Sequence, residues 1–320
     1  MYKIGIIDTM KSKGIELLKS YKDFDCEIVT DLSKENLLLK LPEFDGITLR
    51  RGKIDREILN KCDKLKVIAR HGVGYDNVDT ICLKEKNITL LVTHNSTSTS
   101  PAEHIMFMIM NIYKGTGMFD TMVRGGDFAK AIYLDIEKNF ELFDKTVLIV
   151  GFGRIGKKLI KKCLGFDMKV IVFDPYVDET VIASFGGLKV KTLEEGLKKT
   201  DILSLSLPLN NETKNFITLK EIKLMKKTSI IINAARGGVV NEEDLNNALN
   251  NDIIAFAGID VFEKEPPAQS NPLISNKKVV LSPHAATFTK EGLECMAVET
   301  AQNIIDFFEN KIENTKIVKL

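Results

Sequence analysis

Three polar residues stand just past short apolar runs in the second half of the chain. Arg236 lies in Ile231-Ile232-Asn233-Ala234-Ala235-Arg236-Gly237-Gly238, Glu265 in Gly258-Ile259-Asp260-Val261-Phe262-Glu263-Lys264-Glu265-Pro266, and His284 in Val279-Val280-Leu281-Ser282-Pro283-His284. An arginine can grip a substrate carboxylate through two parallel N–H bonds and polarise the adjacent carbonyl as negative charge develops on its oxygen. A histidine titrates near neutral pH, so it can take a hydroxyl proton in one direction and return it in the other. A carboxylate beside it fixes the imidazole and favours its charged form. Singly these signals are weak: a histidine after a strand is more often structural, and an acidic loop is usually solvated surface. Their order behind a glycine-rich turn gives them weight.

That turn is Thr146-Val147-Leu148-Ile149-Val150-Gly151-Phe152-Gly153-Arg154-Ile155-Gly156. An apolar strand precedes it, an amphipathic pattern follows it (Ile155, Leu159, Ile160, Cys163, Leu164), and a second apolar run, Lys169–Phe173, ends in Asp174. This is the context a dinucleotide fingerprint requires. Gly151 allows the tight turn, Gly153 lets a pyrophosphate approach the backbone, and Gly156 lets helix and strand pack closely. The helix start offers free N–H donors and the positive end of its dipole. Asp174 can accept from both adenosine ribose hydroxyls and repels a 2′-phosphate, by ~4 kcal/mol at about 4 Å and an effective dielectric of 20. NAD is therefore expected over NADP. Arginine, carboxylate and histidine beside a nicotinamide are equipped for hydride transfer on a 2-hydroxy or 2-oxo acid.

The elements that must position these residues are strands alternating with helices. Strands are expected at Lys3–Ile7, Glu27–Thr30, Gly46–Leu49, Val67–Ala69 and Thr89–Val92. A second series is expected at Thr146–Val150, Lys169–Phe173, Ile202–Leu205, Ser229–Ile232, Ala255–Gly258 and Val279–Leu281. Near-continuous apolar runs indicate strands covered on both faces, hence parallel sheets with flanking helices in a doubly wound α/β fold. The two series break at Asn95-Ser96-Thr97-Ser98-Thr99-Ser100, a polar stretch with capping residues, followed by Pro101 in a first helical turn. The helix Ala102–Tyr113 is apolar nearly all round, which implies burial on several sides. The last helix, Thr289 to Asn310, is amphipathic.

Composition excludes other classes. Lys plus Arg is 45 against 44 Asp plus Glu, so a net charge of +1 carries no footprint for nucleic acid or an anionic membrane. No apolar run reaches the ~18–20 residues of a membrane span, and the start reads as a strand rather than a signal segment. Five scattered cysteines without a C-x-x-C pattern exclude a disulfide framework or cysteine-based zinc site and fit a reducing, cytoplasmic setting. Glu103 and His104 adjoin on a helix and so face different sides; with no H-E-x-x-H, no metal is expected.

The chain resembles the D-isomer-specific 2-hydroxyacid dehydrogenases, in the branch of phosphoglycerate dehydrogenase and hydroxypyruvate reductase. The resemblance runs nearly its whole length through Arg70-His71-Gly72-Val73-Gly74-Tyr75-Asp76-Asn77-Val78-Asp79, Gly151–Gly156, Pro208-Leu209 with Glu212-Thr213, Asn233–Gly237, Gly258–Pro266 and Ser282-Pro283-His284. It implies a Rossmann-type NAD-binding domain, 99–288, inserted into a flavodoxin-like substrate domain, 1–98 with 289–320. It implies that Arg236 binds carboxylate and carbonyl oxygen, that His284 is the acid/base and that Glu265 is its partner. Asp260 would meet the nicotinamide carboxamide, while Arg154, Ile155, Asp174, Leu207, Pro208, Thr213, Ala234 and Arg236 would line the cofactor site. Val73 and Gly74 would bring substrate-binding N–H groups. A homodimer through the cofactor domain and the helix near Pro101 is also implied. The chain departs from the family pattern at Ser206 (often His), Phe128 (often Trp), Asp144 (usually Gly) and one alanine of Ala234-Ala235 (often Thr or Ser), none of which touches the triad. The 320 residues leave no room for the regulatory domain of many phosphoglycerate dehydrogenases, so serine feedback through one is not expected.

The expected substrate is a small 2-hydroxy or 2-oxo acid. Arg50 and Arg70 follow strands of the first series, where two guanidiniums would suit a phosphate, a sulfonate or a second carboxylate, whereas Arg51 and Lys53 read as solvated loop charges. The first choice is 3-phosphoglycerate; the alternative is reduction of hydroxypyruvate or glyoxylate. A reading from another class is an NAD-sensing, corepressor-like binding protein. Formate dehydrogenases pair histidine with glutamine, and Glu265 argues against them.

Overall fold

The computed structural model describes residues 1–94, 98–133 and 139–320; Asn95–Thr97, part of the expected break, lie outside them. The chain divides into two compact units, Met1–Thr97 with Phe288–Leu320, and Ser98–Thr287.

The first unit is a five-stranded parallel sheet. In chain order its strands are β1 (Tyr2–Ile7), β2 (Phe24–Val29), β3 (Gly46–Leu49), β4 (Val67–Arg70) and β5 (Thr89–Leu91), arranged β2-β1-β3-β4-β5. This is the flavodoxin-like order, whose switch point lies between β1 and β3. Alternation along β1 builds two cores: Ile4 and Ile6 join one, Ile7 the other. The core holding Ile4 and Ile6 is closed by Ala297, Ala301, Ile304 and Ile305 of the Lys290–Phe308 helix, and Ile317 bridges to Leu91. Thr289 caps that helix by accepting from the Gly292 N–H.

The second unit is a seven-stranded parallel sheet of β6 (Thr146–Val150), β7 (Lys169–Phe173), β8 (Leu188–Lys189), β9 (Ile202–Leu205), β10 (Ile230–Asn233), β11 (Phe256–Ile259) and β12 (Val279–Leu281). Its order is β12-β11-β10-β9-β6-β7-β8, which reverses at β6 and β9. Leu148 and Val150 face one core, Val147 and Ile149 the other. Both sheets are parallel and covered on both faces, as the apolar runs required.

Three details differ from the expectations. β8 has only two residues after Gly186-Gly187, too short for any period to show. The strands expected at Ser229–Ile232 and Ala255–Gly258 sit one residue later, and β2 starts three residues earlier. The helix expected over Ala102–Tyr113 spans Thr99–Lys114 and is not buried all round: Ile105, Met108, Ile109 and Ile112 enter the core, but Phe107 is 58% exposed and Met110 36%.

Candidate active site

The Gly151–Gly156 turn joins β6 to the Arg154–Leu164 helix at the sheet's switch point, where ligands of open α/β folds bind. Gly151 has a φ of +91°, and a Cβ there would lie 2.6 Å from the Ser206 carbonyl oxygen after β9. A Cβ on Gly156 would lie 2.7 Å from the Gly151 oxygen. Gly153 differs: its φ is −75°, and nothing lies within 4 Å of the place a Cβ would take. The protein's own packing gives no reason for a glycine there, whereas a phosphate laid against the helix start does. Its N-cap residue is Gly153 itself, which has no side chain to cap that start. Ser206 Oγ, buried beside it, has no partner among the described residues.

Asp174 follows β7 with both carboxylate oxygens aligned by the chain. One accepts from the Phe152 N–H at 2.7 Å, inside the glycine turn, and the other from the Tyr176 N–H at 2.8 Å. Arg154 is exposed and Ile155 partly buried at the head of the helix. After β9, Leu207 packs against the core, and Thr213 closes the next turn by donating to the Pro208 carbonyl at 2.6 Å while its Oγ1 accepts from the Asn210 N–H at 2.8 Å. These features fit a dinucleotide.

The triad follows β10, β11 and β12, three neighbouring strands. At the end of β10, Asn233 closes the turn, donating to the Arg236 carbonyl at 2.9 Å and accepting from the Ala235 N–H at 3.1 Å across Ala234. Arg236 Nη1 donates to the Ala235 carbonyl at 2.6 Å. Glu265 Oε2 lies 2.7 Å from His284 Nδ1, while its Oε1 accepts from the Phe262 N–H at 3.1 Å. Burial pushes the Glu265 carboxyl up, but the bonds from His284 and Phe262 and the charge of Arg236 outweigh it and hold it below the ordinary carboxylate value. His284 itself is half exposed and carries a φ of +53°. A non-glycine residue held in that left-handed region costs on the order of 1–3 kcal/mol and persists only where its surroundings fix it.

Those surroundings centre on Asp260. Instead of lying open toward a ligand, Asp260 is fully buried, and its carboxylate accepts from the Ala285 N–H at 2.7 Å, the Ala286 N–H at 3.1 Å and the Ser282 hydroxyl. Its backbone carbonyl accepts from the His284 N–H at 2.7 Å. A buried carboxylate needs such donors. Burial raises its pKa, yet His104, 3.4 Å away, and the hydrogen bonds from Ser282 and Ala285 bring it below the ordinary value. In the sequence His104 adjoins Glu103 and makes no metal motif with it. Nothing local announced a partner 178 residues away.

In the first unit, the strand-end arginines take different roles. Arg70 Nε donates to the Gly74 carbonyl at 2.7 Å, and Nη1 donates to the carbonyls of Leu49 at 2.6 Å and Arg50 at 2.7 Å. It braces the Gly72–Gly74 turn against β3. Gly72, at φ +133°, pairs with Thr93, and Val73 is exposed at the tip. Arg51, expected to be a free loop charge, forks onto buried Asp8 at 2.7 and 3.2 Å. Arg50, 28% exposed, lies 3.9 Å from the same carboxylate and donates to the Thr9 carbonyl at 3.4 Å. His71 is buried beside them, and burial together with the Arg50 charge lowers its pKa to about 4.

Residues 106–286 match the family model described as the D-isomer specific 2-hydroxyacid dehydrogenase, NAD binding domain. A glyoxylate reductase of Pyrococcus furiosus is 32% identical over 99% of this chain and 95% of its own length. A D-3-phosphoglycerate dehydrogenase of Methanocaldococcus jannaschii is 34% identical over 95% of this chain but 57% of its own, so the chain spans about half the length of the curated phosphoglycerate dehydrogenases it matches. Among solved structures, an acyclic imino acid reductase in complex with NADPH and D-Arg superposes with a TM-score of 0.87 at 26% identity, over 99% of this chain and 100% of that one. The chain belongs to the D-isomer specific 2-hydroxyacid dehydrogenase family. Among the described residues, no helix is long and apolar enough to cross a membrane.

Proposed function

We propose that the protein is an NAD-dependent oxidoreductase acting on a small D-2-hydroxy acid or its 2-oxo counterpart. The observation that carries this reading is the 2.7 Å pair of Glu265 and His284, which follow β11 and β12 of the sheet whose β6 leads into the glycine turn and whose β10 leads to Arg236. Because Glu265 engages Nδ1, proton exchange with the substrate oxygen falls to Nε2, and the carboxylate steadies the imidazolium that forms. Arg236 holds the substrate carboxylate and draws charge onto the reacting oxygen. NAD, when bound, supplies or accepts the hydride. Gly151, Gly153, Arg154, Ile155 and Gly156 would hold its phosphates, Asp174 its adenosine ribose, and Leu207, Pro208, Thr213 and Ala234 would line its path.

On this reading Ser98–Thr287 is the cofactor domain, and the unit built from both chain segments binds the substrate. Arg50, with the N–H groups of Val73 and Gly74, receives the acid's remote end. The best single substrate is 3-phosphoglycerate or 3-phosphohydroxypyruvate, since Arg50 can serve a second anion. Glyoxylate or hydroxypyruvate reduction is the second reading, favoured because three backbone carbonyls occupy Arg70. Phe107 and Met110, exposed on the Thr99–Lys114 helix, support a homodimer.

The test is NADH oxidation with 3-phosphohydroxypyruvate, hydroxypyruvate and glyoxylate. The phosphorylated acid should show the highest kcat/KM. Equal values would refute the second anion, and silence across the panel would refute the dehydrogenase in favour of an NAD-sensing binding protein. His284→Ala should lower kcat about 10²–10⁴-fold with NADH binding retained; undiminished turnover would remove His284 from the mechanism.

A further inference from the structure

His104 stands in the first half of the Thr99–Lys114 helix, only 16% of its side chain exposed. Its Nε2 lies 2.9 Å from Ser282 Oγ and 3.4 Å from Asp260 Oδ1. The Ser282 hydroxyl has one hydrogen, and it goes to the Asp260 carboxylate, which can only accept. Ser282 Oγ must therefore accept from His104, so Nε2 carries a proton. The result is a directed chain, imidazole N–H to hydroxyl to carboxylate, whose members strengthen one another inside the protein.

Asp260 is also the hub on which the 282–286 turn is wound. It takes the Ala285 and Ala286 N–H groups on its carboxylate and the His284 N–H on its backbone carbonyl. Rotation of the Asp260 carboxylate would release the two N–H groups that follow His284. The left-handed backbone of His284 would then lose what holds it, and Nδ1 its line to Glu265.

We propose that His104 is a positioning residue: through Ser282 and Asp260 it fixes the orientation of the Asp260 carboxylate, and thereby the one backbone conformation that aims His284 at Glu265. This rests on the reading of His284 as the acid/base group and adds to it a second histidine–carboxylate pair that never meets the substrate.

The test compares His104→Ala, His104→Gln and Ser282→Ala. His104→Ala should lower kcat about 10–100-fold, the cost of a displacement approaching 1 Å at the reacting group, with NADH affinity within twofold of the parent. His104→Gln, whose amide can still donate toward Ser282, should recover most of the rate, and Ser282→Ala should fall in the same direction as His104→Ala. The chain has four histidines, so the imidazole carbon–proton resonances can be assigned by substitution. In His104→Ala the His284 resonance should move and broaden without substrate or cofactor. An unmoved His284 resonance, or kcat within twofold of the parent in both His104→Ala and Ser282→Ala, would overturn the proposal. If His284→Ala itself turns over normally, it is the acid/base reading that fails. If His284→Ala is inactive while His104→Ala matches the parent in rate and spectrum, only the positioning role fails. Ser282→Ala, which removes one oxygen, serves if His104→Ala does not fold.

Discussion

Gly237→Ala should damage catalysis far more than cofactor binding, for a reason visible in the packing. Gly237 follows Arg236 directly. A Cβ on it would overlap the carbonyl group of Phe262 and crowd the Glu263 nitrogen, all of it backbone. To reach even 3.0 Å, a separation real Cβ atoms do not go below, the Phe262 carbonyl must retreat by about 1 Å. The Phe262 N–H is what Glu265 Oε1 accepts, so the displacement passes to the partner of His284 on one side and to Arg236 on the other. A 1 Å misplacement at a reacting group costs ~10²-fold in rate. Overpacking of this kind costs about 1–3 kcal/mol, which for a unit of this size lowers Tm by about 2–12 °C. The assay is kcat and KM on the preferred oxo acid, NADH affinity by fluorescence, and a thermal melt. Gly238→Ala is the control. Its φ of +78° strains an alanine, but the nearest atom is a leucine methyl at 3.7 Å, so it should lose stability with a much smaller loss of kcat. If Gly237→Ala keeps kcat within threefold of the parent, backbone contact between these two turns does not set the triad.

Gly153→Ala should leave Tm unchanged within about 1 °C, since φ is ordinary and the space is open, yet weaken NADH binding at least tenfold; unaltered affinity would show that no phosphate lies there. Asp174→Ala should narrow the preference for NADH over NADPH, and an unchanged ratio of kcat/KM values would refute its ribose role. His71 gives a pH dependence. Burial lowers its pKa from the ordinary 6.5 to about 4, so between those values the unfolded chain binds the extra proton. The stability it contributes is complete above pH 6.5, declines as pH falls, and is gone below about 4. The shift corresponds to roughly 3 kcal/mol, and His71→Phe should flatten that part of the urea-midpoint profile; a profile unchanged by the substitution would refute the assignment.

What the sequence disclosed depended on how locally each feature is encoded. The glycine fingerprint, its strand and Asp174 are one continuous βαβ unit, and each glycine carries its own steric reason, so all were legible. The triad was legible only as three residues each following a strand, because parallel strands put their carboxyl ends on one edge. The fate of Arg70 was not legible. Whether a strand-end arginine faces a ligand or turns back onto carbonyls depends on register with β3, and no local pattern records that. The same holds for Asp260, a carboxylate in a loop by sequence and a buried hub in space, and for His104, whose partners come from the far end of the same unit.

The Lys290–Phe308 helix covers one face of a sheet whose strands all precede Thr97, and this sets an order on synthesis. When Ser98–Thr287 has been made, its seven strands and both of its cores are complete. The core around Ile4, Ile6, Val67 and Ala69 then has its early members Met10, Leu18 and Phe24 but still lacks Ala297, Ala301, Ile304 and Ile305. At roughly 5–20 residues per second that incomplete state lasts about 10–40 s. The unit begun by Met1–Thr97 is thus finished only after the unit that lies between its two segments.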